Sequence, residues 1–223
     1  MSPRSASLNA EMRERSRAEI LAAALRVFAQ RGYEASSLTA ITTEAGVSHG
    51  LAHYYFATKR DLLTEVLRGR LGAVIELVAQ LPDDPDKALA ILIDAFLGSA
   101  AAEPDEQSLT LALMIQPGVR EVYATLEAHN DGIMQATEDR LRAIFAARGA
   151  EDPALEEIVF RTILEGVIFK YCVYRGSYPL AAVRRRLYAM WDLSEPPPDD
   201  LADPARGSED EWRLRAWPGD GQP

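Results

Sequence analysis

SLTAITTEAGVSHGLAHYYFATK, residues 37–59, decides the reading of this chain. Leu38, Ile41 and Ala45 recur at helical spacing behind Ser37, and Gly46 is a left-handed stop. Ser48 then caps a new helix two residues later. Two short helices joined by a tight glycine-containing turn make a helix-turn-helix. The second of them is two-faced. At 100° per residue, His49, Gly50, His53 and Tyr54 fall on one flank, and Leu51, Ala52, Tyr55 and Phe56 fall on the other. The apolar flank is expected to pack inward and the polar flank to face outward.

Three chemistries compete for that polar flank. Two histidines four residues apart have the spacing of a metal-binding pair. A zincin, however, needs glutamate beside the first histidine, and Gly50 stands there. Zinc also takes at least three protein ligands, whereas His129 and Cys172 are far away in sequence. No metal is expected. A merely solvated face is the second reading. The third is entry into the major groove of duplex DNA. Gly50 allows close approach of the backbone, His49, His53 and Tyr54 offer donors to phosphates or base edges, and the capped helix start adds N–H groups. Lys59 points the same way. It opens the next helix, where a cation opposes the macrodipole at a cost of up to about 1 kcal/mol, and a phosphate at that helix end would account for it.

Upstream, residues 1–15 read as a flexible basic arm with Arg4, Arg13 and Arg15. Ser16 and Glu19 form a capping box that starts the first helix. Leu21, Ala24, Leu25 and Phe28 are its apolar stripe, and Gly32 closes it. Residues 16–62 are thus expected to be a three-helix domain. Thr58, with Asp61 at N3, opens a fourth helix that runs to about Gln80. Further helices are expected at 86–102, 108–116, 118–148, 153–175 and 180–192, which makes about nine in an all-α chain. Residues 195–223 hold six of the thirteen prolines and eight acidic residues against three basic ones, and so read as a disordered acidic tail carrying Trp212 and Trp217.

Charge is distributed in the same sense. The net charge is −10, yet residues 1–70 hold ten Lys/Arg against seven Asp/Glu, while the remainder holds fourteen against twenty-seven. A small cationic module on an acidic body suits a local encounter with nucleic acid rather than coating along its length. The single cysteine excludes an internal disulfide. The chain has no apolar leader and no stretch near the roughly 18 apolar residues of a span, so it is expected in the cytoplasm, without a membrane. It shows no GxSxG, Walker A, GxGxxG, HExxH or CxxC arrangement, and neither a catalytic residue nor a cofactor is expected.

From Ile20 to Leu63 the residues resemble the DNA-binding domain of TetR-family transcriptional regulators. The likeness rests on Phe28, Gly32, Tyr33, Ser37-Leu38, Ile41, Ala45-Gly46-Val47-Ser48, Gly50, Tyr55-Phe56, Lys59 and Leu62-Leu63. The chain departs from the family at Ala40, where an acidic residue is frequent, and at His49, often Lys. Positions 53 and 54, commonly Tyr and His, are here His53 and Tyr54. These changes bear on which bases are read. The resemblance implies DNA contacts from Ser37, Thr39, Ser48, His49, Gly50, His53, Tyr54 and Lys59, with Arg15 and Arg17 steering toward the backbone.

It also implies a homodimer on a palindromic operator, its half-sites about 34–36 Å apart, and a second, helical domain over 63–194 for effector binding and dimerisation. Two seams suit the dimer: Leu155, Val159, Thr162 and Gly166 with Phe169, and Leu180, Val183, Leu187 and Trp191. Phe96, Leu113, Met114, Tyr123, Met134, Phe160, Leu164, Glu165, Phe169 and Cys172 are candidates for a small-molecule pocket. The resulting expectation is a repressor released by an effector. The competing one is a helical small-molecule-binding or scaffold protein that does not touch DNA.

Overall fold

A computed structural model of the protein describes residues 3–128, 132–197 and 201, with backbone alone for 3–10, 127, 128 and 176. Among the described residues all regular structure is helical. The elements are α1 (Pro3–Arg31), α2 (Leu38–Ala45), α3 (His49–Tyr55), α4 (Lys59–Ala79), α5 (Pro85–Ala102), α6 (Pro104–Met114), α7 (Pro117–Ala128), α8 (Ile133–Ala147), α9 (Pro153–Tyr174) and α10 (Leu180–Met190), with a 3-10 turn at Arg175–Ser177. The all-α expectation holds. The expected tail, with Trp212 and Trp217, falls at 198–200 and 202–223, outside the described residues, as does His129.

Three elements differ from the sequence expectation. Residues 3–15, expected as a flexible arm, form the first turns of α1. Pro3 supplies the favoured first helical residue, and neither Gly nor Pro recurs before Gly32. Glu19 pairs with Arg15 at 2.9 Å, one turn back, instead of closing a box on Ser16. The stretch expected as one helix over 118–148 is two, α7 and α8, with Gly132 left-handed (φ 79) at the start of the second. The helix expected from 108 begins at Pro104, because proline suits a first turn as well as it interrupts an interior.

The chain divides into two compact units. The first joins Met1–Glu76 to Leu109–Ala136. Its core gathers Ile20, Phe28, Ile41, Ala52, Phe56, Leu62 and Leu63 with Val66, Leu67, Leu113, Val119 and Val122. The boundary expected at 62/63 is therefore displaced. To the side chains of α1–α3 this core adds Leu62, Leu63, Val66 and Leu67 of α4 and Leu113, Val119 and Val122 of the α6–α7 segment. Each fully buried large side chain is worth roughly 1.5–3 kcal/mol to the unit.

The second unit joins Leu77–Ser108 to the described residues from Thr137 onward. Within it α5 packs on α9 and α10. Phe160 stacks edge-on against Phe145 (5.6 Å) and Trp191 (5.0 Å). Arg184, 3% exposed, donates from Nε to Asp94 Oδ1 at 2.7 Å, and the Tyr188 hydroxyl donates to Oδ2 at 2.8 Å. A buried guanidinium is tolerable only with such a partner. Burial, then the Asp94 hydrogen bond and charge, push the Tyr188 phenol up to about 12.

Candidate nucleic-acid interface

Side-chain caps set α2 and α3. Ser37 Oγ accepts the Ala40 N–H at 3.2 Å, and Ser48 Oγ accepts the Leu51 N–H at 3.2 Å. Gly46 turns the chain between them at φ 67. Arg26 of α1 pairs with Glu44 of α2 at 2.9 Å and so fastens α2 laterally. A reciprocal box opens α4: Asp61 N–H donates to Thr58 Oγ1 (3.0 Å) and Thr58 N–H to Asp61 Oδ2 (2.9 Å).

On α3 the two flanks separate. Ala52 and Phe56 are buried and Leu51 and Tyr55 half-buried, whereas His49, Gly50, His53 and Tyr54 are all exposed. Tyr54 is 70% exposed, unusual for so large a ring. The imidazoles of His49 and His53 meet edge to face at 4.6 Å. Ser37, Thr39 and Ser48 are exposed as well. The flank thus offers two imidazoles, a phenol and a bare Gly50 backbone, a donor-rich surface without acid. No group of three or more potential metal ligands occurs among the described residues.

Two residues expected at DNA are engaged elsewhere. Lys59 folds back on the α1–α2 turn, where its ammonium donates to the carbonyls of Tyr33 (2.8 Å), Glu34 (3.2 Å) and Ser36 (3.1 Å). It also lies 4.4 Å over the Tyr33 ring. Its three donors are thereby engaged within the protein, and these carbonyls suit a cation at this helix start. Burial, with the Glu34 charge second, holds the Tyr33 phenol above its ordinary value. Arg17 pairs with Glu65 of α4 and sits 5.6 Å over the Phe56 ring, tying α1 to the helices behind the site.

Sequence reasoning missed three supporting residues. Ser36 is buried, its hydroxyl donating to the Gly32 carbonyl at 2.6 Å. The Tyr55 hydroxyl donates to the Arg13 carbonyl at 3.0 Å, which anchors α3 to the helical extension of α1. Gln116 bonds the α1–α2 turn from 83 residues away. Only the hydroxyl of Ser36, directly before the capping serine, left a trace in the sequence.

The pocket candidates divide between the units. Leu113 is buried in the first unit's core, with Met114 and Tyr123 packed against that core, and Met134 also belongs to this unit. Phe96, Phe160, Leu164, Glu165, Phe169 and Cys172 belong to the second. Glu165 and Phe169 do not point inward. Both are exposed on α9: Phe169 shares the helical phase of Leu155, about 180° from buried Phe160, and Glu165 lies at the edge of that stripe. The dimer candidates divide too. Leu155, Val159, Thr162 and Gly166 are exposed. Leu180 and Leu187, by contrast, are buried in their own unit, and Trp191 stacks on Phe160. The α10 seam therefore packs within the chain, leaving half-buried Val183 beside it.

Residues 20–66 match the model described as "Bacterial regulatory proteins, tetR family". Similar proteins include the fatty acid metabolism regulator protein of Bacillus subtilis, 35% identical over 72 residues (32% of this chain, 36% of that one). The transcriptional regulator AcrR of Shigella flexneri is 33% identical over 94 residues (40% and 44%), and BetI of Rhizobium meliloti is 32% identical over 136 (59% of each). The chain thus spans between about a third and three fifths of the length of these relatives. In fold it is similar to FadR, the fatty acid degradation regulator of Bacillus halodurans, with a TM-score of 0.64 at 19% identity over 79% of this chain and 94% of that one. It is also similar to NalD of Pseudomonas aeruginosa, with a TM-score of 0.63 at 21% identity over 82% and 96%. The helix-turn-helix over 20–66 is thus similar to the DNA-binding domain of the tetR family of bacterial regulatory proteins, and the fold beyond it to regulators of that kind.

Proposed function

We propose that the chain is a ligand-responsive transcriptional repressor that binds a palindromic operator as a homodimer and is released by a small-molecule effector. The observation that carries this reading is the division of α3: its apolar flank is buried, and His49, Gly50, His53 and Tyr54 are all presented to solvent. These groups suit phosphates and base edges, and the exposed Ser48 cap brings the backbone N–H groups of the helix start to the same side. A second copy of the chain suits the outer stripe of α9, where Leu155, Ile158, Val159, Phe169 and Val173 are 40–56% exposed around Gly166. Two exposed faces of that kind form a four-helix or helix-pair contact. Pairing the recognition helices on a two-fold axis then predicts half-sites about 34–36 Å apart. Release by a small molecule is in keeping with fold relatives: a FadR from Bacillus subtilis was solved with stearoyl-CoA and a regulator from Saccharomonospora viridis with choline. An effector acts only by binding the DNA-competent and incompetent states with different affinity.

Enrichment of random duplex DNA on the purified full chain, followed by sequencing, tests the reading. The expected product is an inverted repeat with one helical turn, or a multiple, between half-site centres. Absence of enrichment, with the protein folded, contradicts it and favours the scaffold alternative.

A further inference from the structure

The corner between α6 and α7 completes the end of α1. Gly32 (φ 85) is the left-handed residue after that helix, and its N–H returns to the Phe28 carbonyl at 3.0 Å. In a Schellman ending the N–H of the following residue would return to the same carbonyl. Here a side-chain amide stands between the two groups. The Tyr33 N–H donates to Gln116 Oε1 at 2.7 Å, while Gln116 Nε2 donates to the Phe28 carbonyl at 3.0 Å and to the Ala112 carbonyl at 3.3 Å. Gln116 is therefore a helix cap supplied from 83 residues away.

Its own backbone is held by the two helices that meet there. The Gln116 N–H donates to the Leu113 carbonyl, and its carbonyl accepts from the Val119 and Arg120 N–H groups, each at 3.1 Å. Two residues on, a Cβ at Gly118 would lie 2.7 Å from Glu34 Oε1 and 3.5 Å from the Tyr33 ring. Tyr33, Glu34 and Ser36 are the residues whose carbonyls hold the Lys59 ammonium. Lys59 begins α4 three residues after Phe56, the C-cap of α3. A continuous polar path thus runs from the α6–α7 corner to the junction behind the recognition helix.

We propose that Gln116 is a positioning residue for DNA binding: it locks the α1 ending, and through Tyr33 and Lys59 the α3–α4 junction, in the geometry that engages DNA. Displacement of the corner opens the cap and loosens α3. The inference rests on the DNA-binding reading above and adds the residue through which the corner governs it.

The test uses the full chain and a duplex recovered by the enrichment above. Gln116→Leu removes all three bonds of the amide, and operator affinity is expected to fall about tenfold, the equivalent of one well-placed hydrogen bond, with the far-UV spectrum retained. In a Lys59→Met background the same change is expected to cost less than about twofold, because the path is already cut; such non-additivity between side chains that do not touch is what a merely stabilising role would not produce. Affinity within twofold of wild type, or equal losses in both backgrounds, overturns the proposal. Should Gln116→Leu not fold, Gln116→Glu, which keeps the acceptor for Tyr33 and loses the donor to Phe28, makes the same comparison. If wild type enriches no duplex, the DNA-binding reading fails by itself. Hydrogen exchange of Gln116→Leu then judges the cap: faster exchange spreading from Tyr33 to Phe56–Leu62 supports the path, and acceleration confined to Tyr33 sinks it.

Discussion

Lys59 sits 4.4 Å above the ring of Tyr33 and donates to that residue's own carbonyl oxygen at 2.8 Å. The first residue of α4 is thereby fastened to the turn after α1. Three carbonyls share one ammonium, and the Tyr33 oxygen also accepts the Ser36 N–H at 3.2 Å, so the lysine gathers the backbone of this turn beside α3.

Lys59→Ala is expected to cost the first unit about 2 kcal/mol, the scale of hydrogen bonds to a charged group. Operator affinity falls with it, but the slope of log K against log salt stays that of wild type. A lysine in direct phosphate contact would instead reduce that slope by about 0.9. Denaturant melts and anisotropy over a salt series measure both.

Gly46→Ala isolates a conformational cost. The backbone there has φ 67, and an added Cβ meets nothing within 4 Å. Strain of about 1–2 kcal/mol is therefore expected without any clash, read as a lower denaturant midpoint at unchanged m-value.

Val159→Asp places a charge in the outer stripe of α9, where the native side chain is 40% exposed. The secondary structure of the separate chain should be unaffected. Sedimentation is expected to show a shift from dimer to monomer, and operator affinity should drop because one half-site is lost. A dimer that survives at the same concentration rejects α9 as the seam.

Tyr188 links stability to alkaline pH. Burial and Asp94 raise its folded pKa from 10.0 to about 12, so the folded state holds the proton more tightly than the unfolded chain. The stabilisation is complete below pH 10 and is lost as pH rises from 10 through about 12. Tyr188→Phe, which deletes the hydroxyl, is expected to be less stable than wild type by about 1 kcal/mol at neutral pH. The difference between the two melting curves should shrink above pH 10.

Much of this was legible in the sequence because it is local. Ser37, Gly46 and Ser48 announce caps and a turn by their own chemistry, and a 100° step per residue separates His49, Gly50, His53 and Tyr54 from Ala52 and Phe56. What was misread depends on partners distant in the chain. The position of Lys59 at a helix start is visible, but the carbonyls of Tyr33–Ser36 that occupy it are not. Arg17 meets Glu65, which lies 48 residues away. Ser16 and Glu19 match a capping box, yet helix formers back to Pro3 outweigh it. Leu180 and Leu187 form a stripe of the right period, and a stripe does not say whether its own chain or a partner covers it. Glu165 and Phe169 belong to the outer face for the same reason in reverse.

The central claim is that the exposed flank of α3 is what meets DNA. Anisotropy of the full chain on its enriched duplex, wild type against a variant with His49, His53 and Tyr54 all changed to alanine, measures it most directly. These side chains are exposed, so the melting temperature should hold while affinity falls at least a hundredfold, about 1 kcal/mol for each contact removed. A variant that folds and binds the duplex as tightly as wild type would contradict the account.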